Sequence, residues 1–371
     1  QLHKIITLNQ LAVTGALTLA PNGTGAVTIV NAVGLNLAAS TMGGTFSGTA
    51  TAGNITQTGA LDIEGVTTLV TSGPGADIDL AANGTGNAFT GKLLITTNET
   101  SSNANDAYVT IHGGTTDLKI GLSTIEGNLT LLSGGEITDE GIATVEGTLT
   151  ATTNQLHKII TLNQLAVTGA LTLAPNGTGA VTIVNAAGLI LATSTMGGTF
   201  SGTATQGDIT QTGALTITGT STLETSQNHG TITLTNTGNA FTEKLLITTN
   251  DADVGTQGTV NVHGGTTNLI LGASTIDGNL TLTSGGEITD DGIATVRGTL
   301  TATTDRLHKI ITLNELAVTG ALTLAPNGTG AVTIVNAVGL NLAASTMGGT
   351  FSGTATTGDI SNSGDLAITG A

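Results

Sequence analysis

The 371-residue chain contains no cysteine and no tryptophan, with a single tyrosine, five phenylalanines and four prolines. Without cysteine there is no disulfide framework and no thiolate chemistry. Without tryptophan and with one tyrosine, the aromatic positions that anchor sandwich and propeller domains are missing. Positive charge is also scarce, with 8 Lys and Arg against 25 Asp and Glu and a formal net charge of −17. Such a chain repels phosphate backbones, which argues against nucleic acid as a partner. It has no apolar run of about 18 residues, so no membrane insertion by a helix is expected. No secretory leader pattern is visible. No eleven-residue window carries a helical stripe, which removes the all-α and α/β classes.

What is present is glycine, 55 residues, together with 38% hydrophobic residues. Disorder normally combines low hydrophobicity with high charge, so a polar linker is a poor description. The apolar residues alternate in short runs such as LTLAP, VTIV, LNLA and LLITT, interrupted by Gly, Asn-Gly, Pro-Asn-Gly or Ser-Gly-Gly. Period-two alternation with turn residues between predicts short strands and tight corners. Thr, Val, Ile and Leu suit a pleated, half-buried surface, and glycine suits corners that need positive φ.

The runs repeat. LHKIITLN begins at Leu2, Leu156 and Leu307, intervals of 154 and then 151 residues. Leu11 to Thr51 and Leu316 to Thr356 are identical, and the middle copy differs only at Ala187, Ile190 and Thr193. The large repeats are 1–154, 155–305 and a partial 306–371, within one continuous solenoid expected over 1–371. Each full large repeat consists of two half-repeats, because Leu35 to Gly65 aligns with Leu118 to Gly147. The half-repeats differ in length mainly through an extra polar loop, around Asn98 to Asp106 and again around Asn250 to Gln257.

Tandem units of this size, without linkers, predict an all-β, right-handed parallel β-helix: a β-solenoid whose coils stack like on like. Four coils per half-repeat would give roughly nineteen residues per coil and about twenty coils in all. Phe46, Phe200 and Phe351 are one position copied, and Phe89 and Phe241 are another. These five are expected in the core. Corner glycines such as Gly44 and Gly127 should not tolerate a side chain. The chain starts and stops inside a repeat, so it is expected either to continue beyond both ends or to stack end to end with other copies.

Certain phrases add a resemblance. LILGASTIDGNLTLTSGGEITDDG (Leu269 to Gly292), NAFTGKLLIT and GDITQTGALTITGTSTL (Gly207 to Leu223) are similar to the repeat text of filamentous-haemagglutinin-like secreted adhesins. The resemblance covers nearly the whole chain and implies a right-handed parallel β-helix on a cell surface. It carries over no catalytic or receptor-binding residue, because the matched positions are coil-forming ones.

A search for chemistry finds little. His3, His157 and His308 are one copied position, and His112 and His263 another. A single catalytic centre does not arrive in serial copies. Polysaccharide-active β-helix enzymes need clustered carboxylates or a basic residue facing one groove. Here the only arginines, Arg297 and Arg306, replace Glu146 and Gln155 of the other copy. The expectation is that the chain is not an enzyme and uses no cofactor. The densest acidic segments, with Glu136, Asp139 and Glu140 and then Glu287, Asp290 and Asp291, are weak calcium candidates. A solvated turn is the simpler reading of both. Asn-x-Thr sequons are numerous, and Asn98 in the inserted loop is the best glycosylation candidate.

The functional expectation is a structural component of an extracellular or cell-surface fibre. It would be an adhesin-like filament that meets other copies of itself, end to end or side by side, and host or neighbouring-cell surfaces. The loop residues Asn98, Glu99, Asn103, Asp106, Asp251 and Asp253 are the contact candidates. The alternative is an ice- or surface-binding solenoid using Thr-rich faces. Against it, pairs such as Thr49/Thr51, Thr148/Thr150 and Thr231/Thr233 do not recur at one short fixed interval.

Overall fold

A computed structural model of the protein describes residues 3–98, 107–250 and 257–370. The chain falls into two compact units, Gln1–Ala186 and Ala187–Ala371. Each is an all-β solenoid in which every pairing between named strands is parallel. Among the described residues the only helical element is a single 3-10 turn at Gly84–Gly86.

In the first unit a coil is built from one long strand and two short ones. Val27–Asn31 buries Val27, Ile29 and Asn31 and turns Thr28 and Val30 outward. Leu35–Leu37 and Ser40–Met42 follow, each with two inward residues flanking one outward residue. The chain then returns at Phe46–Ala50, which pairs in register with Val27–Asn31. Glycines shape the corners. A Cβ on Gly44 would lie 2.5 Å from the Thr24 carbonyl oxygen, so only glycine lets successive coils approach there. Gly53 has φ +90°, a conformation that a side chain would strain.

Register partners in this unit lie from 19 residues apart (Val27 with Phe46) to 31 apart (Ile78 with Val109). Following the first sheet from Ile6 through Val27, Phe46, Thr67, Leu93, Ile120 and Asp139 to the copied strand at Ile160 takes seven coils. The large repeat is therefore seven coils and the half-repeat three and a half. The expectation of four coils of about nineteen residues was too many and too short. A three-sided path with three corners needs, on average, about 22 residues.

The half-integer count has a visible origin. Three full coils of long, short and short strands, starting at Val27, Phe46 and Thr67, are followed by one extra long strand, Leu93–Thr96, in the first sheet. The next long strand, Val109–His112, joins the second sheet. From there the long strands Leu129–Ser133, Leu149–Thr153 and Leu171–Ala174 occupy the second sheet while the short pairs occupy the first. Val181–Asn185 then returns to the first sheet. Equivalent residues of neighbouring half-repeats thus lie on opposite faces, and only the large repeat restores the original side.

The second unit repeats this logic. Its long strands Phe200–Ala204, Ser221–Asn228 and Leu245–Asn250 pair in one sheet, whereas Val260–His263, Leu280–Ser284, Leu300–Thr304 and Leu322–Ala325 pair in the other. Val332–Asn336 and Phe351–Ala355 pair again in the first.

The interior is narrow and apolar. Phe46, Phe89, Phe200 and Phe241 are each at most 1% exposed. Phe351, in the last coil, is only half-buried. Within the strand FSGTA the Phe46 ring folds over its own Gly48, where an added Cβ would meet ring carbon Cζ at 2.8 Å. The pair fills the width that Val27 and Ile29 fill one coil earlier.

Candidate functional site

Polar groups inside the solenoid serve the backbone. Asn185 is fully buried, accepts the Val167 N–H at 2.8 Å and donates to the Val167 carbonyl at 2.8 Å. Asn31 clamps Val13 in the same way, and Asn336 clamps Val318. Asn87 accepts the Leu61 N–H, donates to the carbonyls of Leu80 and His112, and exchanges two hydrogen bonds with Gln57. Asn239 and Gln211 copy this arrangement in the second unit. Each satisfies strand ends that a parallel ladder leaves unpaired, a requirement inside a dry core. These asparagines were not singled out from the sequence. Counting parity along VTIVN would have found Asn31, since it falls on the buried phase.

The acidic segments form corners rather than a cage. Asp139 accepts the Gln164 N–H at 2.7 Å, and Asp290 accepts those of Asn314 and Glu315 at 3.0 and 2.8 Å. Both cap an irregular step where the register shifts in the next coil. Burial holds both carboxyls above their ordinary pKa of 3.8, partly offset by these backbone donors. Glu140 pairs with Lys119 at 3.6 Å and Asp291 with Lys244 at 2.8 Å, while the N–H groups of Glu136 and Glu287 donate to Asp117 and Asn268. Among the described residues no three acidic or histidine side chains come together as a metal-holding group.

Beside these carboxylates lie exposed aliphatics. Leu122 and Ile142 occupy the corner between the two short strands on successive coils, 66% and 53% exposed, and Ile293 repeats the second at 62%. The corner between a long strand and a short one carries the reverse charge. There Leu156 and Leu307 are 63% and 62% exposed, followed by His157-Lys158 and His308-Lys309. The histidines adopt φ of 64° and 63°, and their Nδ1 atoms lie 2.7 Å from Thr178 and Thr329 Oγ1. These hydrogen bonds fix a left-handed turn that directs the leucine outward. In the other histidine pair His112 is buried and His263 partly exposed: Nδ1 of His112 and His263 accepts the N–H of Gly114 and Gly265, and His263 Nε2 meets Asp305 at 2.8 Å. Desolvation lowers the pKa of His112.

Of the loop candidates, Glu99, Asn103, Asp106, Asp251 and Asp253 lie outside the described residues. Asn98 is described, and its Nδ2 donates to the Ser72 carbonyl at 2.8 Å. A glycan there would have to release that bond. The inserted segments sit where the long strand changes sheet, between Leu93–Thr96 and Val109–His112 and between Leu245–Asn250 and Val260–His263. A surface depression of about 530 Å³, lined by Thr14, Gly34, Asn36, Gly53, Asn54 and Thr56 among others, contains no titratable side chain.

Threonines line the outer faces in register. In the second sheet of the first unit Thr56, Asp79, Thr110, Thr130, Thr150 and Thr172 form one column. In the second unit Thr281 and Thr283 stack on Thr301 and Thr303. The uneven sequence spacing is absorbed in the corners, so it does not disturb the rows.

No curated protein and no solved structure matches the chain. A family described as repeats of unknown function, DUF5649, matches residues 24–96, 105–174, 178–248, 257–325 and 329–371. Each match begins a few residues ahead of the first long strand after a change of sheet, and each of the first four ends within the extra long strand. The family's repeat is thus the three-and-a-half-coil half-repeat, and the chain belongs to this family, the repeats of unknown function DUF5649.

Proposed function

We propose that the protein is a structural component of an extracellular or cell-surface fibre, an adhesin-like filament mediating attachment to surfaces, matrix or other cells. The observation that carries this reading is the use made of its polar groups. The buried asparagines bind strand backbone, and the acidic corners cap backbone or pair with lysines. Side chains spent on holding coils together suit a scaffold rather than an enzyme. The solenoid fold is compatible with such a role, and the similarity of the repeats to adhesin text gives the adhesive part its support. Immunogold labelling of intact source cells tests the reading. Label on surface filaments supports it, and label confined to the cell interior refutes it.

One observation favours a second reading, binding to ice or another ordered surface. The Thr281/Thr283 and Thr301/Thr303 block is in register, with neighbours about 4.8 Å apart between coils and about 6.6 Å apart along a strand. Thermal hysteresis of the purified chain would support it. Ice growth indistinguishable from a buffer control would remove it.

A further inference from the structure

Two kinds of corner project from the solenoid, and their chemistries match. The long-to-short corner shows an exposed leucine, Leu156 or Leu307, next to cationic side chains. Four of the chain's eight lysines and arginines, namely Lys4, Lys158, Arg306 and Lys309, belong to copies of this one corner. The corner between short strands shows an exposed aliphatic, Ile142 with Leu122 or Ile293 alone, next to carboxylates. In the first unit these are Asp139 and Glu140, and in the second Asp290, Asp291 and Glu315. Among the described residues each compact unit carries one complete corner of each kind.

The aliphatic side chains are out of place by the chain's own rules. Most large apolar residues of the strands point inward, and the corners are rich in glycine, threonine and asparagine. The half-repeat equivalents of Leu122 and Ile142 on the opposite face are alanines, Ala39 and Ala60, so coil formation does not require bulk there. The leucine corner is held by the His157 to Thr178 contact and its copy, so it is presented in a fixed position.

We infer that copies of this chain pack side by side, the Leu156 and Leu307 corners of one copy seated against the Ile142 and Ile293 corners of the next. The apolar tips bury one another while lysine and arginine meet carboxylates. Lys119 and Lys244 already pair with Glu140 and Asp291, but such exposed pairs are weak and leave the carboxylates able to accept a second cation. The two surfaces are different, so the contact is heterologous and does not close on itself. Each corner is smaller than the roughly 1,000 Å² that a stable interface needs, so adhesion between copies accumulates from repeated corners on one chain. Both corners recur with the large repeat, Leu156 and Leu307, like Ile142 and Ile293, being 151 residues apart in sequence. The inference rests on the fibre reading only for its purpose, since the contact is between copies in solution.

The absence of cysteine makes the test direct. Chains carrying Leu156→Cys are mixed with chains carrying Ile142→Cys under mild oxidation, with Leu156→Cys plus Thr130→Cys as the control. Thr130 is an outward residue in the middle of the second sheet. The mixed Leu156→Cys and Ile142→Cys disulfide should form about tenfold faster than the control pair and than Leu156→Cys with itself, reflecting a raised effective concentration. In parallel, Leu156→Asp with Leu307→Asp should shift sedimentation toward the monomer while circular dichroism and the melting temperature stay unchanged. Equal cross-linking rates for all pairs, or association untouched by the two aspartates, would overturn the inference. Neither result bears on where the protein resides, so the surface-fibre reading would still be judged by its own labelling experiment.

Discussion

The Phe46 and Gly48 pair provides a quantitative test of how the interior is filled. The coil before it uses Val27 and Ile29, and the coil after it uses Thr67 and Leu69, all in register. At Phe46–Ala50 one large ring and one absent side chain fill the same width. Replacing Phe46 by Val removes most of the ring and leaves a cavity, at a cost of about 2–4 kcal/mol. Replacing Gly48 by Ile alone drives atoms into the Phe46 ring and the Leu35 side chain, whose nearest atoms lie 2.8 and 3.0 Å from the new Cβ. That overpacking costs about 1–3 kcal/mol or more. The double substitution installs the preceding coil's own pair and should cost less than about 1.5 kcal/mol. The cycle therefore has a favourable coupling of at least about 1.5 kcal/mol. Urea unfolding followed by far-ultraviolet circular dichroism measures the totals, and amide hydrogen exchange localises them to neighbouring coils. Additive costs would refute this description of the core.

Three other outcomes follow from the same packing. Asn185→Ala strands the N–H and carbonyl of Val167, so it should destabilise by roughly 2–4 kcal/mol, and Asn185→Asp, which removes the donor and buries a charge, should be worse in the same unfolding assay. Gly44→Val must displace the Thr24 and Gly25 carbonyls, whose oxygens lie 2.5 and 2.6 Å from any Cβ, and limited proteolysis should open the chain near that coil first. Asp139 and Asp290 have folded pKa values above 3.8, so their contribution to stability is complete below that value and is lost as pH rises through the raised one. His112 acts in the opposite sense, its contribution being present above 6.5 and lost as pH falls through its lowered folded pKa. Asp139→Asn with Asp290→Asn should therefore raise the melting temperature near pH 7 relative to that near pH 4, compared with the parent chain. An unchanged difference between the two pH values would contradict that assignment.

The strands were legible because inward and outward residues alternate without exception in runs such as VTIVN and LTATT. Parallel stacking followed from copied positions, and the phenylalanines placed by that logic are buried where a coil covers them. The number of coils was not legible. It depends on whether LNL and STM form one side or two, and the structure places Leu35–Leu37 and Ser40–Met42 in different sheets, on either side of Ala38 and Ala39. The change of sheet was hidden for a related reason: Leu93–Thr96 looks like any other strand, and only its partners show that it occupies half a coil. The acidic corners illustrate a limit of composition. Asp139 and Glu140 are adjacent in sequence, yet one caps a neighbouring backbone and the other meets Lys119. The exposed Leu156 was visible as part of a copied phrase, but its outward direction depends on the left-handed φ of His157, which no pattern of residue types reveals.

The central structural claim is that unevenly spaced outward residues are brought into register by corners of different length. Intramolecular disulfide formation in double-cysteine variants tests it most directly, since a bridge requires Cα atoms roughly 4.4–6.8 Å apart. Thr28 with Ser47, Thr130 with Thr150 and Thr138 with Thr161 are register partners at separations of 19, 20 and 23 residues. All three pairs should oxidise rapidly within one chain, and Thr130 with Thr152, displaced two residues along the strand, should not. Rapid closure of the displaced pair, or failure of the three register pairs, would contradict the coil assignment on which the rest depends.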